Sequence, residues 1–282
     1  MKEIANNIFI EQGYAGVVSC VLKLNHGLLM VDAPFRADDQ HSWRQKMAHL
    51  GGGVAQLMVM LDTNTDRLFG MQFSGFPVLA QNNALEIIQN LPINPRIPEM
   101  QARSDSEAYD QAQTARWPLP DMTYSTKVSI HWDDHPVVVT HQPGGHRAGS
   151  WVRYDSEKVI FVGDSVVIDQ PPFLEWCDLD LWIDELTWLG SDHFKDYKII
   201  SGRNGVIQQK SVKKMLDHIT FIQGTLEELL ITDQSVEGVD QVAIQLLRSV
   251  SFEREMTQQY KSRLVWGLKQ LLQHHKTSKT EN

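Results

Sequence analysis

The chain has 282 residues, 42% hydrophobic and 22% charged, which is enough to bury one large core or two small ones. Its net charge of −9 argues against general binding to nucleic acid, because the phosphate backbone repels a surface without a compensating basic patch. Two cysteines cannot build a disulfide framework, the N-terminus lacks a signal-peptide pattern, and no apolar run could span a bilayer, so we expect a cytoplasmic protein without a membrane partner.

The first third of the chain combines strands with helices. Short apolar runs predict strands at residues 8–10, 16–24, 27–32 and 54–62. Residues 39–50 have helical character, and the glycines at 51–53 end that helix. Residues 76–90 predict a strand followed by a helix. This half therefore predicts a sheet with helices on its outer face.

The segment 91–122 differs in composition from its surroundings. It is rich in proline and polar at its centre, so we interpret it as an insertion or lid, partly helical at 104–114. Beyond it the plan of the first third recurs. Strands are predicted at residues 123–130, 136–141, 150–154, 158–162 and 197–201, and helices at 180–189 and 208–230.

The two halves share this plan of strands followed by helices. That recurrence predicts an α+β fold, a four-layer αββα sandwich with pseudo-twofold symmetry. We assign residues 1–230 to this domain. Residues 231–276 predict a helical extension packed on the domain, and residues 277–282 predict a disordered tail.

Four polar blocks follow predicted strands. They read LDTNTDRLFG at 61–70, GGHRAGS at 144–150, VIFVGDS at 159–165 and IISGRNG at 199–205. Their order and spacing resemble the metallo-β-lactamase fold superfamily, whose dinuclear metal site is built from four such loops. The resemblance covers residues 4–230 and implies the αββα sandwich and a hydrolytic ancestry.

Three residues match the superfamily's site. Asp66 matches the aspartate of the HxHxDH motif, His146 matches the histidine of the third block, and Asp164 matches the carboxylate that bridges both metals. Four other positions depart from the pattern. Histidine positions are occupied by Asp62, Asn64, Arg67 and Arg203.

These departures change the expected metal chemistry. The resemblance leaves one candidate site for Zn²⁺, Mn²⁺ or Fe²⁺, whose ligands would be Asp62, Asn64, His146 and Asp164. A second metal is not expected, because arginine stays protonated and has no lone pair to donate. Arg67 and Arg203 would instead replace the missing positive charge by pairing with the carboxylates, or they would bind an anionic ligand.

Two functions stay open on the sequence alone. The first is a pseudoenzyme, metal-poor or metal-free, that binds a small anionic ligand or a partner. The second is a single-metal hydrolase in which Asp66 and Asp164 are catalytic and Arg67 and Arg203 stabilise the oxyanion. Its substrate would be an ester, thioester, lactone, lactam or phosphodiester. The segment 91–122 would be either a lid or the contact of a homodimer.

Overall fold

The computed structural model describes residues 1–51, 53–91, 117–232 and 237–280. Most of the predicted insertion at 91–122, including the predicted helix at 104–114, lies outside these residues.

Among the described residues, seven strands form the first sheet in chain order. They are β1 (Lys2–Ala5), β2 (Ile8–Glu11), β3 (Ser19–Leu24), β4 (Gly27–Val31), β5 (Ala55–Val59), β6 (Val78–Gln81) and β7 (Met122–Tyr124). The strands from β1 to β4 pair antiparallel, whereas the pairs from β4 to β7 are parallel. Parallel pairs need a crossover connection, and each of these three connections contains a helix.

Six strands form the second sheet, in the order β13-β12-β11-β10-β9-β8. They are β8 (Lys127–Ile130), β9 (Val137–His141), β10 (Ser150–Tyr154), β11 (Val159–Gly163), β12 (Lys198–Ser201) and β13 (Gly205–Ile207). β11 and β12 pair in parallel, and their neighbours pair antiparallel.

Helices cover the outer faces of both sheets. The described helices are α1 (Ala37–Leu50), α2 (Thr65–Ser74), α3 (Asn82–Asn90), α4 (Leu179–Leu189), α5 (Gln209–Thr232), α6 (Glu237–Ser249) and α7 (Thr257–Thr280). None of these helices has the length and apolar character needed to cross a bilayer.

The main apolar cores of the described residues hold the layers together. One lies between the sheets, where β-branched and aromatic side chains such as Val152 and Phe161 interdigitate. A second packs α1 and α3 on the first sheet around Trp43. The third packs α4 to α7 on the second sheet around Trp182 and Leu264. This arrangement confirms the predicted four-layer αββα sandwich with additional C-terminal helices.

Several features differ from the sequence interpretation. The predicted strand at 123–130 is two strands, β7 and β8, which lie in different sheets. β1 and β13 are short edge strands that lack a strong hydrophobic pattern, and α2 begins inside the block that resembles a metal loop. Residues 277–280, which the sequence predicts to be a disordered tail, belong to α7. Edge strands and helix ends carry weak local signals, so these differences lie where hydrophobic periodicity is least informative.

Candidate functional site

Polar residues from the sequence blocks meet at one edge of the sandwich. Asp32 follows β4 directly, and Asp62 lies shortly after β5. On the second sheet, Asp164 follows β11 and Arg203 lies shortly after β12. Because β4 and β5 are parallel, and β11 and β12 are parallel, the carboxyl ends of each pair lie at the same edge. The fold thus brings together residues that are far apart in the chain.

Arg67 lies at the centre of this edge, in the first turn of α2, and is 1% exposed. Its Nε donates to Oδ2 of Asp32 at 2.6 Å, and its Nη1 lies 3.0 Å from Oδ2 of Asp62. Nη1 and Nη2 donate to the two carboxylate oxygens of Asp164 at 2.8 and 3.0 Å. One guanidinium group therefore contacts three carboxylates, one of them in the strong bidentate geometry.

The backbone at Gly202 allows this close approach. A Cβ atom at this position would lie 2.1 Å from Nη2 of Arg67 and 3.0 Å from Oδ1 of Asp164. Any side chain at position 202 would therefore push the guanidinium group of Arg67 away from its partner.

Arg203 binds the same carboxylate. Its Nε and Nη2 donate to Asp164 at 3.0 Å (to Oδ1) and 2.8 Å (to Oδ2). Its Nη1 donates to the carbonyl oxygen of Gly16 at 2.8 Å and to the carboxylate of Asp66. The side chain of Arg203 is almost fully buried. We define the ion cluster as these two arginines with their four carboxylate partners, namely Asp32, Asp62, Asp66, Asp164, Arg67 and Arg203.

Asp164 is the residue that both arginines share, and Nδ2 of Asn64 also donates to its Oδ2 at 2.8 Å. Burial alone would raise the pKa of Asp164, but the charges of Arg203 and Arg67 hold this pKa well below its usual range. Burial would likewise lower the pKa of Arg67, yet the surrounding carboxylates raise it above its usual value. Both partners are therefore charged in the folded protein.

Asp32 completes the environment of Arg67. Its Oδ1 accepts the backbone N–H of Leu61 at 3.1 Å, and its Oδ2 accepts the hydrogen bond from Arg67. Burial raises the pKa of Asp32 to about 6, against the lowering effect of the Arg67 charge. Removing the Arg67 charge would therefore leave Asp32 as a buried carboxylate without its main stabilising partner.

His146 lies beside the ion cluster with both ring nitrogens hydrogen-bonded. Its Nδ1 accepts the backbone N–H of Ala148 at 3.0 Å, so Nε2 carries the proton and donates to Oγ1 of Thr63 at 3.1 Å. Burial lowers the pKa of His146, although the nearby carboxylates oppose this effect. His146 is therefore a neutral histidine whose hydrogen bonds tie two loops together.

Helix α7 is connected to the cluster through Phe173. Arg263 on α7 is buried, and its Nη2 donates to Oε1 of Gln170 at 3.0 Å and to the carbonyl oxygen of Pro171 at 2.8 Å. Its guanidinium carbon lies 4.1 Å from the ring centroid of Phe173, and that of Arg203 lies 4.8 Å from the same centroid. Phe173 thus links the C-terminal extension to the ion cluster through two cation–π contacts.

Two small cavities lie beside His146. His146 lines two cavities of about 10 Å³ each among the described residues. A cavity of this size holds about one water molecule.

The structure brings together all seven residues that the sequence analysis singled out. They are Asp62, Asn64, Asp66, Arg67, His146, Asp164 and Arg203. Arg203 pairs with both Asp66 and Asp164, and Arg67 pairs with Asp164, as expected from the charge argument. Their assignment as metal ligands or catalytic groups stays a prediction.

Three residues that take part in the site's contacts were missed by the sequence analysis. Asp32 ends the predicted strand at residues 27–32, and this position at a strand end was the signal that could have revealed its role. Phe173 and Arg263 carried no signal, because their contact joins segments that lie 90 residues apart.

Solved structures resemble this arrangement of sheets and helices at low sequence identity. A metallo-β-lactamase family protein from Thermus thermophilus matches with a TM-score of 0.62 at 13% identity, over 96% of this chain and 94% of that one. A β-lactamase domain protein from Burkholderia ambifaria matches with a TM-score of 0.67 at 12% identity, over 97% and 88%. The chain has the metallo-β-lactamase fold.

The sec-alkylsulfatase Pisa1 from Pseudomonas sp. has this fold as well. It matches with a TM-score of 0.69 at 11% identity, over 97% of this chain and 49% of its own, so this chain spans about half of the sulfatase. No protein-family model matches the sequence, and no curated protein matches it. The likeness is therefore one of fold.

The residues at this edge do not fit the metal ions associated with the metallo-β-lactamase fold. The oxygens of Asp164 accept from two guanidinium groups, and His146 has no ring nitrogen left without a hydrogen bond. Guanidinium nitrogens cannot act as ligands. In the described part of the chain, no group of three or more His, Cys, Asp or Glu residues is arranged to hold a metal. The predicted set of Asp62, Asn64, His146 and Asp164 instead makes hydrogen bonds within the protein.

Glu185 on α4 fixes the loop that carries His146. Its Oε1 accepts the backbone N–H of Gly144 at 2.9 Å, and a Cβ at Gly144 would lie 2.4 Å from Cα of Trp182. Burial raises the pKa of Glu185 to about 7 from a usual value of 4.5. The folded protein therefore favours the protonated carboxyl, and the associated stability is lost as the pH rises through about 7.

Glu185→Gln should remove this pH dependence. The amide keeps an oxygen for Gly144 but has no charge to bury. We expect the free energy of unfolding of the variant, relative to wild type, to rise by about 2 kcal/mol between pH 5 and pH 8. Urea denaturation across this pH range measures the effect. Glu255→Gln, at an exposed position, is the control and should show no such trend. Parallel pH profiles for wild type and Glu185→Gln would contradict a raised pKa at Glu185.

Proposed function

We propose that this chain is a metal-independent protein with the metallo-β-lactamase fold, which acts by binding and not by metal-assisted hydrolysis. The observation that carries the proposal is the contact of both Arg67 and Arg203 with Asp164. By resemblance, Asp164 stands where the superfamily has the carboxylate that bridges two metals. Guanidinium groups supply positive charge there, but they cannot activate a coordinated water as a metal ion does.

The same contacts make the two arginines internal counter-ions. Each donates to at least two carboxylates, and each is almost fully buried. A small anion could reach Arg67 or Arg203 only by displacing Asp164 or Asp66. We therefore place any ligand of this protein outside the ion cluster, and the anion-binding role expected from the sequence finds no support at these atoms.

The single-metal hydrolase has weaker support than the metal-independent protein. Its mechanism needs Asp66 to orient water, yet Asp66 pairs with Arg203. It also needs His146 as a ligand, yet its ring nitrogens bond Thr63 and the Ala148 backbone. A metal at this position would require several of these hydrogen bonds to break at once, each with its own cost.

Elemental analysis by mass spectrometry tests the proposal directly. Protein purified without a metal-binding tag should contain far less than one metal ion per chain, before and after addition of Zn²⁺, Mn²⁺ and Fe²⁺. A chelator should leave the melting temperature of the protein unchanged, because a metal ion that does not bind the folded state cannot stabilise that state.

His146→Ala is the matched control for this measurement. Metal bound nonspecifically is retained by this variant, whereas metal at the predicted ligand set is lost. Stoichiometric metal that disappears in His146→Ala, together with metal-dependent hydrolysis of an ester or phosphodiester, would overturn the proposed function in favour of the single-metal hydrolase.

A further inference from the structure

A cavity of about 350 Å³ lies next to one of the small cavities beside His146. Its volume is within the range of small-molecule sites. Glu175 and Trp176 line both cavities, and Pro143 and Leu181 add apolar side chains to the lining of the larger one. The larger cavity is therefore a candidate binding site outside the ion cluster, where the proposed function places a ligand.

Three charged residues also line the cavity, and each already interacts within the protein. Nη2 of Arg147 pairs with Oε2 of Glu86 at 2.8 Å. Oδ1 of Asp178 accepts the backbone N–H of Leu181 at 3.0 Å and so caps helix α4. Glu175 likewise interacts with another group of the protein. A charged ligand would lose its hydration beside groups that already have partners, and this loss carries a free-energy cost.

Cys177 adds a neutral side chain to the lining. Its Sγ donates to the carbonyl oxygen of Leu174 at 3.3 Å. Burial raises the pKa of the Cys177 thiol well above its usual value, so the thiol is protonated at neutral pH. Cys177 therefore contributes to the cavity as a small hydrophobic residue and not as a thiolate.

Hydrogen bonds and packing hold the walls of the cavity in place. The backbone N–H of Arg147 donates to the carbonyl oxygen of Trp176 at 2.7 Å, and that of Asp178 donates to the carbonyl oxygen of Gly144 at 2.8 Å. Trp176 packs against the core on the outer face of the first sheet, and Cys177 packs against the core of the second sheet and its helices. The cavity is thus preformed, and a ligand would not have to order its walls.

Trp176 favours an aromatic ligand. Its side chain is only partly buried and lines the cavity. An aromatic ring that stacks on indole gains more than the burial of its apolar area alone. Pro143 and Leu181 offer further apolar contact, so a flat hydrocarbon ring system matches this lining.

We propose that this cavity binds an uncharged aromatic compound. Its ring system would stack on Trp176 and contact Pro143 and Leu181, and the charged residues of the lining would keep their present partners. Because this inference rests on the proposed function, it names the ligand class of a protein that acts by binding.

Calorimetric titration with three probes that share a naphthalene ring tests the charge preference. The probes are 2-naphthylmethanol, 2-naphthoate and 2-naphthylmethylammonium. The uncharged alcohol should bind about tenfold more tightly than either ion, because neither ion finds a charge without a partner to compensate its desolvation. Equal affinity for all three probes, tighter binding of either ion, or no binding of any probe would overturn the proposal.

Variants of two lining residues locate the binding. Trp176→Leu keeps an apolar side chain but removes the stacking, and should weaken binding of 2-naphthylmethanol about three- to tenfold. Trp176→Phe keeps an aromatic ring and should restore affinity to within about twofold of wild type. Leu181→Ser changes an exposed side chain, so the core stays intact, and should weaken binding about threefold.

Trp188→Leu is the matched control. Trp188 is 41% exposed and stacks on Trp151, outside the cavity lining, so this variant should bind 2-naphthylmethanol as wild type does. Unchanged affinity in both Trp176→Leu and Leu181→Ser, or an equal loss in Trp188→Leu, would rule out this cavity.

Elemental analysis of the same preparation separates the two proposals. Metal-free protein that does not bind 2-naphthylmethanol contradicts this inference and leaves the proposed function standing. Protein that holds stoichiometric metal, hydrolyses an ester and still binds the alcohol at Trp176 contradicts the proposed function alone.

Discussion

Arg67→Met is expected to lower the free energy of unfolding at pH 7 by about 3 to 5 kcal/mol, the range measured when one partner of a buried ion pair is removed. Methionine fills a similar volume but leaves Asp32 and Asp62 without the guanidinium group that contacts them. Arg203 would still neutralise Asp164. For a chain of this size the melting temperature should fall by roughly 10 °C.

The penalty for Arg67→Met should depend on pH. Because the pKa of Asp32 is already raised to about 6 in the presence of Arg67, loss of that charge should raise it further. Protonation then relieves the buried charge, so the difference from wild type should shrink between pH 7 and pH 5. Urea denaturation at both pH values measures this difference.

Arg147→Met is the matched control for Arg67→Met. Arg147 also pairs with a carboxylate, that of Glu86, but both side chains are about half exposed. Surface pairs of this kind contribute about 0 to 1 kcal/mol. Equal destabilisation by Arg67→Met and Arg147→Met would show that the buried ion pairs of the cluster contribute no more to the free energy of unfolding than an exposed pair does.

Asp164→Asn should lower the free energy of unfolding at pH 7 by about as much as Arg67→Met, about 3 to 5 kcal/mol. Asp164 accepts from both guanidinium groups and from Asn64. An asparagine side chain has one acceptor oxygen in place of two. Its two amide N–H donors would face the N–H groups that now donate to Asp164, and two donors cannot hydrogen-bond to each other. The variant should fold, because Arg67 and Arg203 keep Asp32 and Asp66 as partners, but it should unfold at a lower denaturant concentration.

The pH dependence of Asp164→Asn follows from the sign of the pKa shift. The arginines hold the pKa of Asp164 below its usual value of 3.8, so the carboxylate stabilises the folded state above about pH 4. This contribution is lost as the pH falls toward the lowered pKa. The stability difference between wild type and Asp164→Asn should therefore stay constant from pH 7 to pH 5 and narrow below pH 4.

Asp155→Asn is the control for the acid range. Asp155 pairs with Arg153 at 2.9 Å, but its side chain is about half exposed. Asp155→Asn should therefore lower the free energy of unfolding by less than about 1 kcal/mol at any pH. A constant difference between wild type and Asp164→Asn down to pH 3 would mean that Asp164 is not held charged by the arginines.

The fold could be predicted largely from local pattern. Short apolar runs separated by turn residues marked β2 to β5 and β8 to β12, and each group was followed by helical periodicity. Such patterns indicate which face of each element is buried, so they also predict the order of the layers. The edge strands β1 and β13 were missed because three- or four-residue strands have little periodicity, and helix α2 was missed because its first half lies in the block interpreted as a metal-site loop.

The candidate site was predicted less completely. Asp66, Arg67, Asp164 and Arg203 were found because the four polar blocks that contain them resemble the metal-site loops of the superfamily. The sequence could not show that Arg67 turns toward Asp32 and Asp62 as well as Asp164, since this depends on the orientation of the first turn of α2. It also could not show that α7 reaches Phe173, a contact between distant segments.

The sequence by itself determined the layer architecture and the residue types at the positions where the superfamily has metal ligands. It placed arginine at two of them, and arginine cannot coordinate a metal in any fold. Only the tertiary structure decided which carboxylates each arginine neutralises and that both ring nitrogens of His146 are hydrogen-bonded. These outcomes depend on distances between segments that chain order does not specify, and ion pairs and hydrogen bonds act only over a few ångströms.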